Sequence, residues 1–176
     1  MELSNKIQLA IRDVHDFPKE GIVFKDITPI MMDAGLSNEI VEALVEQFRS
    51  ENLQGIAGIE SRGFLFGFPL AMALGIPFIM IRKKGKLPYK KISHAYELEY
   101  GSAVIEIHSD AVKSGQKVLI HDDLLATGGS ADAAAELIHK CGGSVYGFNF
   151  IVELSFLNGK QKLMNHSSNI DNLITF

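Results

Sequence analysis

Apolar positions in this chain keep two rhythms, short dense runs and longer stretches at helical spacing, and their order predicts the elements. Leu3, Ile7, Ala10, Ile11 and Val14 recur three or four residues apart, which predicts an opening amphipathic helix that stops before Pro18. The segment Phe17-Pro18-Lys19-Glu20-Gly21 then turns the chain, and the apolar but breaker-bracketed run from Ile22 to Pro29 reads as a short strand or extended lobe outside any main sheet. Ser37 caps a second predicted helix with the stripe Ile40, Val41, Leu44, Val45 and Phe48. Beyond it, Gly55 to Ile59 predicts a buried strand, followed by an apolar helix carrying Phe64, Leu65, Phe68 and Met72. Further strands are expected at Pro77 to Ile81, Ser102 to Ile107, Val118 to His121 and Val145 to Leu154, with an alanine-rich helix from Ala131 to Lys140 that ends at a glycine pair. The tail is short and polar apart from Leu173, Ile174 and Phe176.

Strands that alternate with helices predict a mostly parallel, twisted α/β sheet with right-handed crossovers, and such sheets bind ligands at the carboxyl ends of their strands. Three charged or small-residue segments fall at those ends: Glu60-Ser61-Arg62-Gly63, the run from Arg82 to Lys91, and the stretch from Asp122 to Ser130. They are expected to share one rim.

The third segment is the most informative. A strand, then Asp122 and Asp123, then the small turn Ala126-Thr127-Gly128-Gly129 and a helix opening at about Ser130 would aim several backbone N–H groups and a helix dipole at one point, which suits a phosphate. The paired acids would repel that phosphate, so they need another task. Two adjacent carboxylates suit the vicinal hydroxyls of a ribose, with a metal nearby to moderate their charge. In the first segment, Arg62 offers a planar fork of permanently charged donors and fits a pyrophosphate. Six of the chain's 17 basic residues fall between Arg82 and Lys91, a density that a solvated hairpin alone would also allow.

Composition narrows the classes. With 176 residues, 47% of them hydrophobic, one α/β domain spanning residues 1–176 accounts for the whole chain. The net charge of −4 argues against general nucleic-acid binding. The polar start and the lack of a long apolar run predict no signal peptide and no membrane helix, so a cytoplasmic protein is expected. The single cysteine, Cys141, is expected to be a packed thiol, and His15, His94, His108, His139 and His166 lack metal-ligand spacing.

The stretch from Val118 to Ser130 resembles the phosphoribosyl-pyrophosphate (PRPP) signature of the type I phosphoribosyltransferases, with His121 where that family usually has an aliphatic residue and Ser130 where Thr is common. Gly-Ile-Glu-Ser-Arg-Gly-Phe at 58–64 is similar to the pyrophosphate loop of the adenine-specific members, Arg-Lys-Lys-Gly-Lys-Leu-Pro at 82–88 looks like their catalytic loop, and Leu-Glu-Tyr-Gly at 98–101 matches the end of their lid. Val-Phe-Lys-Asp-Ile-Thr-Pro at 23–29 resembles the hood motif Val-Phe-Arg-Asp-Ile-Ser-Pro.

The resemblance implies a type I phosphoribosyltransferase fold with a small N-terminal hood at roughly 17–35, and a purine-salvage reaction that joins adenine to PRPP and yields AMP and pyrophosphate. It implies that Asp122, Asp123, Ala126, Thr127, Gly128, Gly129 and Ser130 hold the ribose and its 5′-phosphate. Glu60, Ser61, Arg62, Arg82, Lys83 and Lys86 would serve the pyrophosphate, with a non-proline cis peptide at Glu60-Ser61. Glu99 would act as general acid/base beside catalytic Arg62 and Lys86, with Tyr100 as a lid residue and the Gly85 to Pro88 region as part of the lid. The main chain at Val23 would read the adenine amino edge, with Phe24 and Leu124 on either face of the ring; backbone readout tolerates Lys25, whereas any contact that needs a guanidinium does not. Mg²⁺ would arrive on PRPP without direct protein ligands. By the same resemblance the protein would be a homodimer. A sister enzyme for 6-oxopurines (hypoxanthine, guanine or xanthine) and a PRPP-binding regulator remain open alternatives.

Overall fold

In the computed structural model, which describes residues 1–97 and 102–176, the chain divides into two compact units, Met1–Gln47 and Phe48–Phe176. The first begins with α1 (Leu3–Ala10) and continues as an antiparallel pair, β1 (Arg12–His15) and β2 (Val23–Asp26). The opening helix is therefore shorter than its apolar spacing suggests. Val14 lies in β1 opposite Phe24, and the adjoining registers place opposite charges across the pair, Arg12 against Asp26 and Asp13 against Lys25. A β-branched residue flanked by such cross-strand pairs favours the hairpin over another helical turn. Then come α2 (Thr28–Met32), with Pro29 in its first turn, and α3 (Ala34–Phe48). Asp33 rather than Ser37 caps α3: its Oδ1 accepts the Leu36 N–H at 3.0 Å, while the Ser37 hydroxyl donates to the Ile30 carbonyl.

The second unit holds β3 (Gly55–Ile59), α4 (Glu60–Leu74), β4 (Phe78–Lys83), β5 (Lys91–Glu97), β6 (Ser102–His108), β7 (Lys117–Leu125), α5 (Gly129–Lys140), β8 (Ser144–Glu153), a 3-10 turn (Ser155–Leu157), α6 (Gly159–Leu163) and β9 (Ile170–Thr175). Among the described residues its strands form one sheet in the order β5-β6-β4-β3-β7-β8-β9. Pairing is parallel from β4 through β3, β7 and β8 to β9, and antiparallel where β6 meets β4 and β5. The sheet is thus mostly parallel, as expected, with an added antiparallel hairpin. Ala57, Ile79, Ile105, Val118, Ile120, Phe148 and Phe150 bury one face with Ala133, Ala134, Leu137 and Ile138 of α5, whose alanines permit a close approach.

Two further elements depart from the expectation. No strand is expected at β5, yet Ile92, His94 and Tyr96 are half-buried in alternation with exposed neighbours, the pattern of an edge strand. The polar tail supplies α6 and β9, which pairs with β8 from Ile170 to Thr175. No helix among the described residues is long and apolar enough to cross a membrane.

Candidate active site

Glu60 to Gly63, expected as a loop, form the first turn of α4 directly after β3. A Cβ on Gly63 would lie 2.9 Å from the His121 carbonyl, so α4 rests on the β7 backbone at this point. That approach carries Arg62 to Asp123, with Nε 3.3 Å from Oδ2. The Glu60–Ser61 peptide is not cis; among the described residues the cis bond is Phe17–Pro18, and Glu60 instead takes a left-handed backbone, φ 50°. A left-handed carboxylate residue costs about 1 kcal/mol or more and persists only where its surroundings hold it. Here its side chain accepts the Lys83 N–H, binds Lys86 Nζ at 3.3 Å and faces Arg82 Nε at 3.5 Å.

The basic segment follows the same logic. Glu106 of β6 is buried, and it accepts the Gly85 N–H at 2.9 Å and the Ser93 hydroxyl at 3.2 Å while pairing with Lys91 at 3.3 Å. The Gly85 N–H is the main influence holding the Glu106 carboxyl below its ordinary range, against the opposing effect of burial, with Lys91 and Ser93 assisting. Burial alone would raise Glu60, but the Lys83 amide, Lys86 and Arg82 together lower it. The two glutamates keep their charge and hold the cations in place. Arg82 also lies 5.5 Å above the Phe64 ring.

On β7 the acids lie inside the strand rather than beyond its end, so the pleat sends them to opposite faces. Asp122 lines the open side, whereas Asp123 is 1% exposed and faces Arg62. Burial and the neighbouring Asp123 carboxylate push Asp122 well up; burial also raises Asp123, with Arg62 working against it. One residue earlier, His121 is fully buried, with Nδ1 2.8 Å from Asn149 Oδ1, and burial lowers it to about 4. Past Leu125 the chain turns through Gly128, whose φ of 80° suits glycine, and α5 begins at Gly129.

Two cavities adjoin here. One of about 370 Å³ is lined by Ile59, Glu60, Ser61, Arg62, Lys83, Tyr96, Asp122 and Ser130 among others. The second, of about 180 Å³, is lined by Leu124, Ala126, Thr127, Gly128, Gly129 and Ser130 and shares Arg62, Asp122 and Ser130 with the first. The three segments thus meet at one rim. Arg82 and Lys86 line neither cavity and stand behind Lys83 on the Glu60 carboxylate, and Asp123 stands beneath Arg62. Glu99 and Tyr100 lie outside the described residues. In the first unit, Val23 is exposed, the Phe24 ring meets Phe17 edge-on at 5.1 Å, and Lys25 Nζ sits 2.7 Å from Asp13 Oδ1.

Two site residues escaped the sequence reading. Tyr96 shares a hydrogen bond of 3.1 Å with the Ser130 hydroxyl, across from β5 to the start of α5; its alternation with Ile92 and His94 was the available signal. Glu106 carried no signal, because a charged residue in an apolar strand is identified as a buried anchor only by its partners.

An α/β sheet that brings an arginine-bearing helix start, a basic turn and an acid-acid-small-residue turn to one rim defines a phosphoribosyltransferase, and the profile of the phosphoribosyl transferase domain matches residues 32–171. A curated relative, adenine phosphoribosyltransferase of Cytophaga hutchinsonii, is 49% identical over 174 residues, covering 99% of this chain and 96% of its own. Among solved structures, adenine phosphoribosyltransferase from Thermoanaerobacter pseudethanolicus superposes with a TM-score of 0.94 at 48% identity, covering 98% of this chain and 99% of that one. The Saccharomyces cerevisiae enzyme, solved with an imino-altritol bisphosphate and adenine, gives 0.91 at 41% identity and covers 98% of both chains. The chain belongs to the adenine phosphoribosyltransferase family.

Proposed function

We propose that this enzyme transfers the 5-phosphoribosyl group of PRPP to adenine for purine salvage. The bond from the anomeric carbon to the pyrophosphate oxygen breaks, a bond to N9 of adenine forms with inversion, the N9 proton leaves, and AMP and pyrophosphate are released. The observation that carries this reading is the pair of adjoining cavities, one facing Arg62 and Lys83 and the other facing the backbone of Ala126 to Gly129, joined through Asp122. Pyrophosphate fits the first, where fixed cations stabilise the charge that develops as the leaving group departs. The 5′-phosphate fits the second, at the start of α5. Asp122 accepts the ribose hydroxyls between them, and Asp123 holds Arg62 in position from below. Lys86 and Arg82 support Lys83 through Glu60. Glu99 serves as general acid/base and Tyr100 as lid, while Val23, Phe24, Lys25 and Leu124 serve the base; these roles rest on the motif resemblance.

Mg²⁺ belongs with the substrate in this reading. Of the two acids only Asp122 lines the cavities, and its carboxylate fits the water shell of an ion already coordinated by PRPP, because Mg²⁺ keeps much of that shell. The ion supplies charge neutralisation on the pyrophosphate. A homodimer is supported by the exposed apolar side chains of Leu65, Phe68 and Met72 on α4 and Met80 on β4. The charge on PRPP and AMP, which do not cross membranes unaided, favours a cytoplasmic setting.

Pyrophosphate release from PRPP with each purine base in turn tests the activity: adenine is the expected acceptor, and turnover with hypoxanthine or guanine but not adenine would overturn the reading. Arg62→Ala and Glu99→Ala should each cut turnover by about 100-fold while AMP binding to the 122–130 segment is largely kept. Unchanged turnover in both variants would refute the role assignment.

A further inference from the structure

The turn from Ala126 to Gly128 has almost no side chain with which to hold itself, yet its amides must keep a fixed height above β7 for the proposed phosphate site to exist. What lies behind it is backbone. A Cβ built on Gly159, the first residue of α6, would stand 2.2 Å from the Ala126 carbonyl oxygen, 2.9 Å from Leu125 Cδ1 and 3.1 Å from the Gly128 nitrogen. The contact is reciprocal, because a Cβ on Gly128 would lie 2.7 Å from the Gly159 carbonyl oxygen. Gly159 is itself fixed from both sides. Ahead of it, the Leu154 N–H donates to the Leu125 carbonyl at 2.9 Å and Asn158 takes a left-handed turn, φ 54°. After it, Lys160 Nζ binds Glu153 Oε2 at 2.7 Å and Asn172 Oδ1 at 2.8 Å, which ties α6 to β8 and β9, and Leu163 is fully buried.

We propose that Gly159 is a positioning residue for substrate binding: its bare backbone sets the height of the Ala126–Gly128 turn, and the tail segment 154–163 is a buttress that presses this turn toward the ligand. The inference rests on the reading of that turn as the 5′-phosphate site. A methyl group at Gly159 forces the turn to move by roughly 1 Å, and a displacement of that size at a binding site costs on the order of 10- to 100-fold. The loss falls on the phosphoribosyl ligand, since nothing in this contact bears on the base.

The test titrates ribose 5-phosphate into the full-length protein by calorimetry, using the wild type, Gly159→Ala, Lys160→Met, Ser130→Ala and Gly147→Ala. Gly147 is the structural control. A Cβ there would lie 2.3 Å from the Asn169 carbonyl oxygen, as severe a clash but at the β8–β9 edge. Gly159→Ala is expected to bind ribose 5-phosphate at least about 10-fold more weakly and to raise KM for PRPP with KM for adenine unchanged, whereas Gly147→Ala lowers the melting temperature alone. If Gly159→Ala does not fold, Lys160→Met decides, because it loosens α6 without adding atoms at the turn. Weakening by roughly threefold or more then supports the buttress, and wild-type affinity overturns it. A folded Gly159→Ala with wild-type affinity, beside a weakened Ser130→Ala, overturns the inference alone. Indifference of both Ser130→Ala and Gly159→Ala overturns the phosphate reading of the turn, and the inference with it.

Discussion

The basic segment at the end of β4 reaches the first cavity through Lys83, and the small-residue turn that follows β7 lines the second, yet the two are held by opposite means. Arg82, Lys83, Gly85, Lys86 and Lys91 are gathered by two carboxylates, Glu60 and Glu106, through ion pairs and amide hydrogen bonds. Ala126 to Gly128 are gathered by backbone laid on backbone, with Gly159 behind and one side-chain hydroxyl, Ser130, at the front. A turn held by charge can trade partners when an anionic substrate arrives, since Arg82 and Lys86 already face an anion, Glu60, whose place a phosphate can take. A turn held by packing offers amides that need no reorganisation. The first arrangement suits a group that leaves during the reaction and the second a group that stays bound.

The largest expected separation of the two regions is by pH. His121, a fully buried residue of β7, has its folded value lowered by that burial from 6.5 to about 4. For a depressed histidine the unfolded chain binds the proton first, so its contribution is fully present above about 6.5 and lost as pH falls toward 4, in total about 3 kcal/mol at 1.36 kcal/mol per unit. Glu60 and Glu106 are lowered from 4.5, so their contribution stays intact above that value and fades only as pH falls through their folded values. The raised Asp122 and Asp123 act in the opposite sense, gaining stability on protonation, and a comparison between variants removes them. The difference in urea-unfolding free energy between wild type and His121→Val should therefore change between pH 7 and 5, whereas that between wild type and Glu106→Ala should not. A pH-independent His121→Val difference would refute the assignment.

Next in size is Glu106→Ala measured at pH 7. It leaves the Gly85 N–H and Lys91 without their buried partner and should cost about 2 kcal/mol, read as a lower melting temperature. Tyr96→Phe removes one neutral hydrogen bond to Ser130, worth about 1 kcal/mol. It frees that hydroxyl for a ligand, so ribose 5-phosphate should bind no more weakly than to wild type. Weaker binding would show that Tyr96 holds the ligand rather than the protein.

What the sequence disclosed follows the same division. The Gly55 to Ile59 strand, the Ala131 to Lys140 helix and the meeting of three segments at one rim were legible, because buried parallel strands are continuous apolar runs and their carboxyl ends carry the chemistry. Which side of β7 each acid faces was not legible, since the apolar run alone did not reveal that the strand continues to Leu125. The expected cis bond at Glu60 is replaced by a left-handed residue, a choice fixed by Lys83 and Lys86, both more than twenty residues away. Glu106 read as one more charge in a strand, and the tail read as polar filler although its glycine rests on the Ala126 turn. Long-range partners decide these cases, and spacing along the chain does not carry them.

The smallest effect on stability is expected from Lys86→Met, and it sharpens the comparison most directly. Lys86 is half-exposed and pairs with Glu60 at 3.3 Å, and such a surface pair contributes less than about 1 kcal/mol. The melting temperature should fall by no more than about 3 °C. If Glu60 only stores this cation until pyrophosphate claims it, the cost appears instead in turnover: kcat/KM for PRPP should drop by about 10-fold or more, and its decline with added salt should become shallower because one charge no longer takes part. A large loss of stability with unchanged turnover would reverse the assignment, making the Glu60–Lys86 pair a structural clamp and leaving Lys83 and Arg62 as the cations that meet the leaving group.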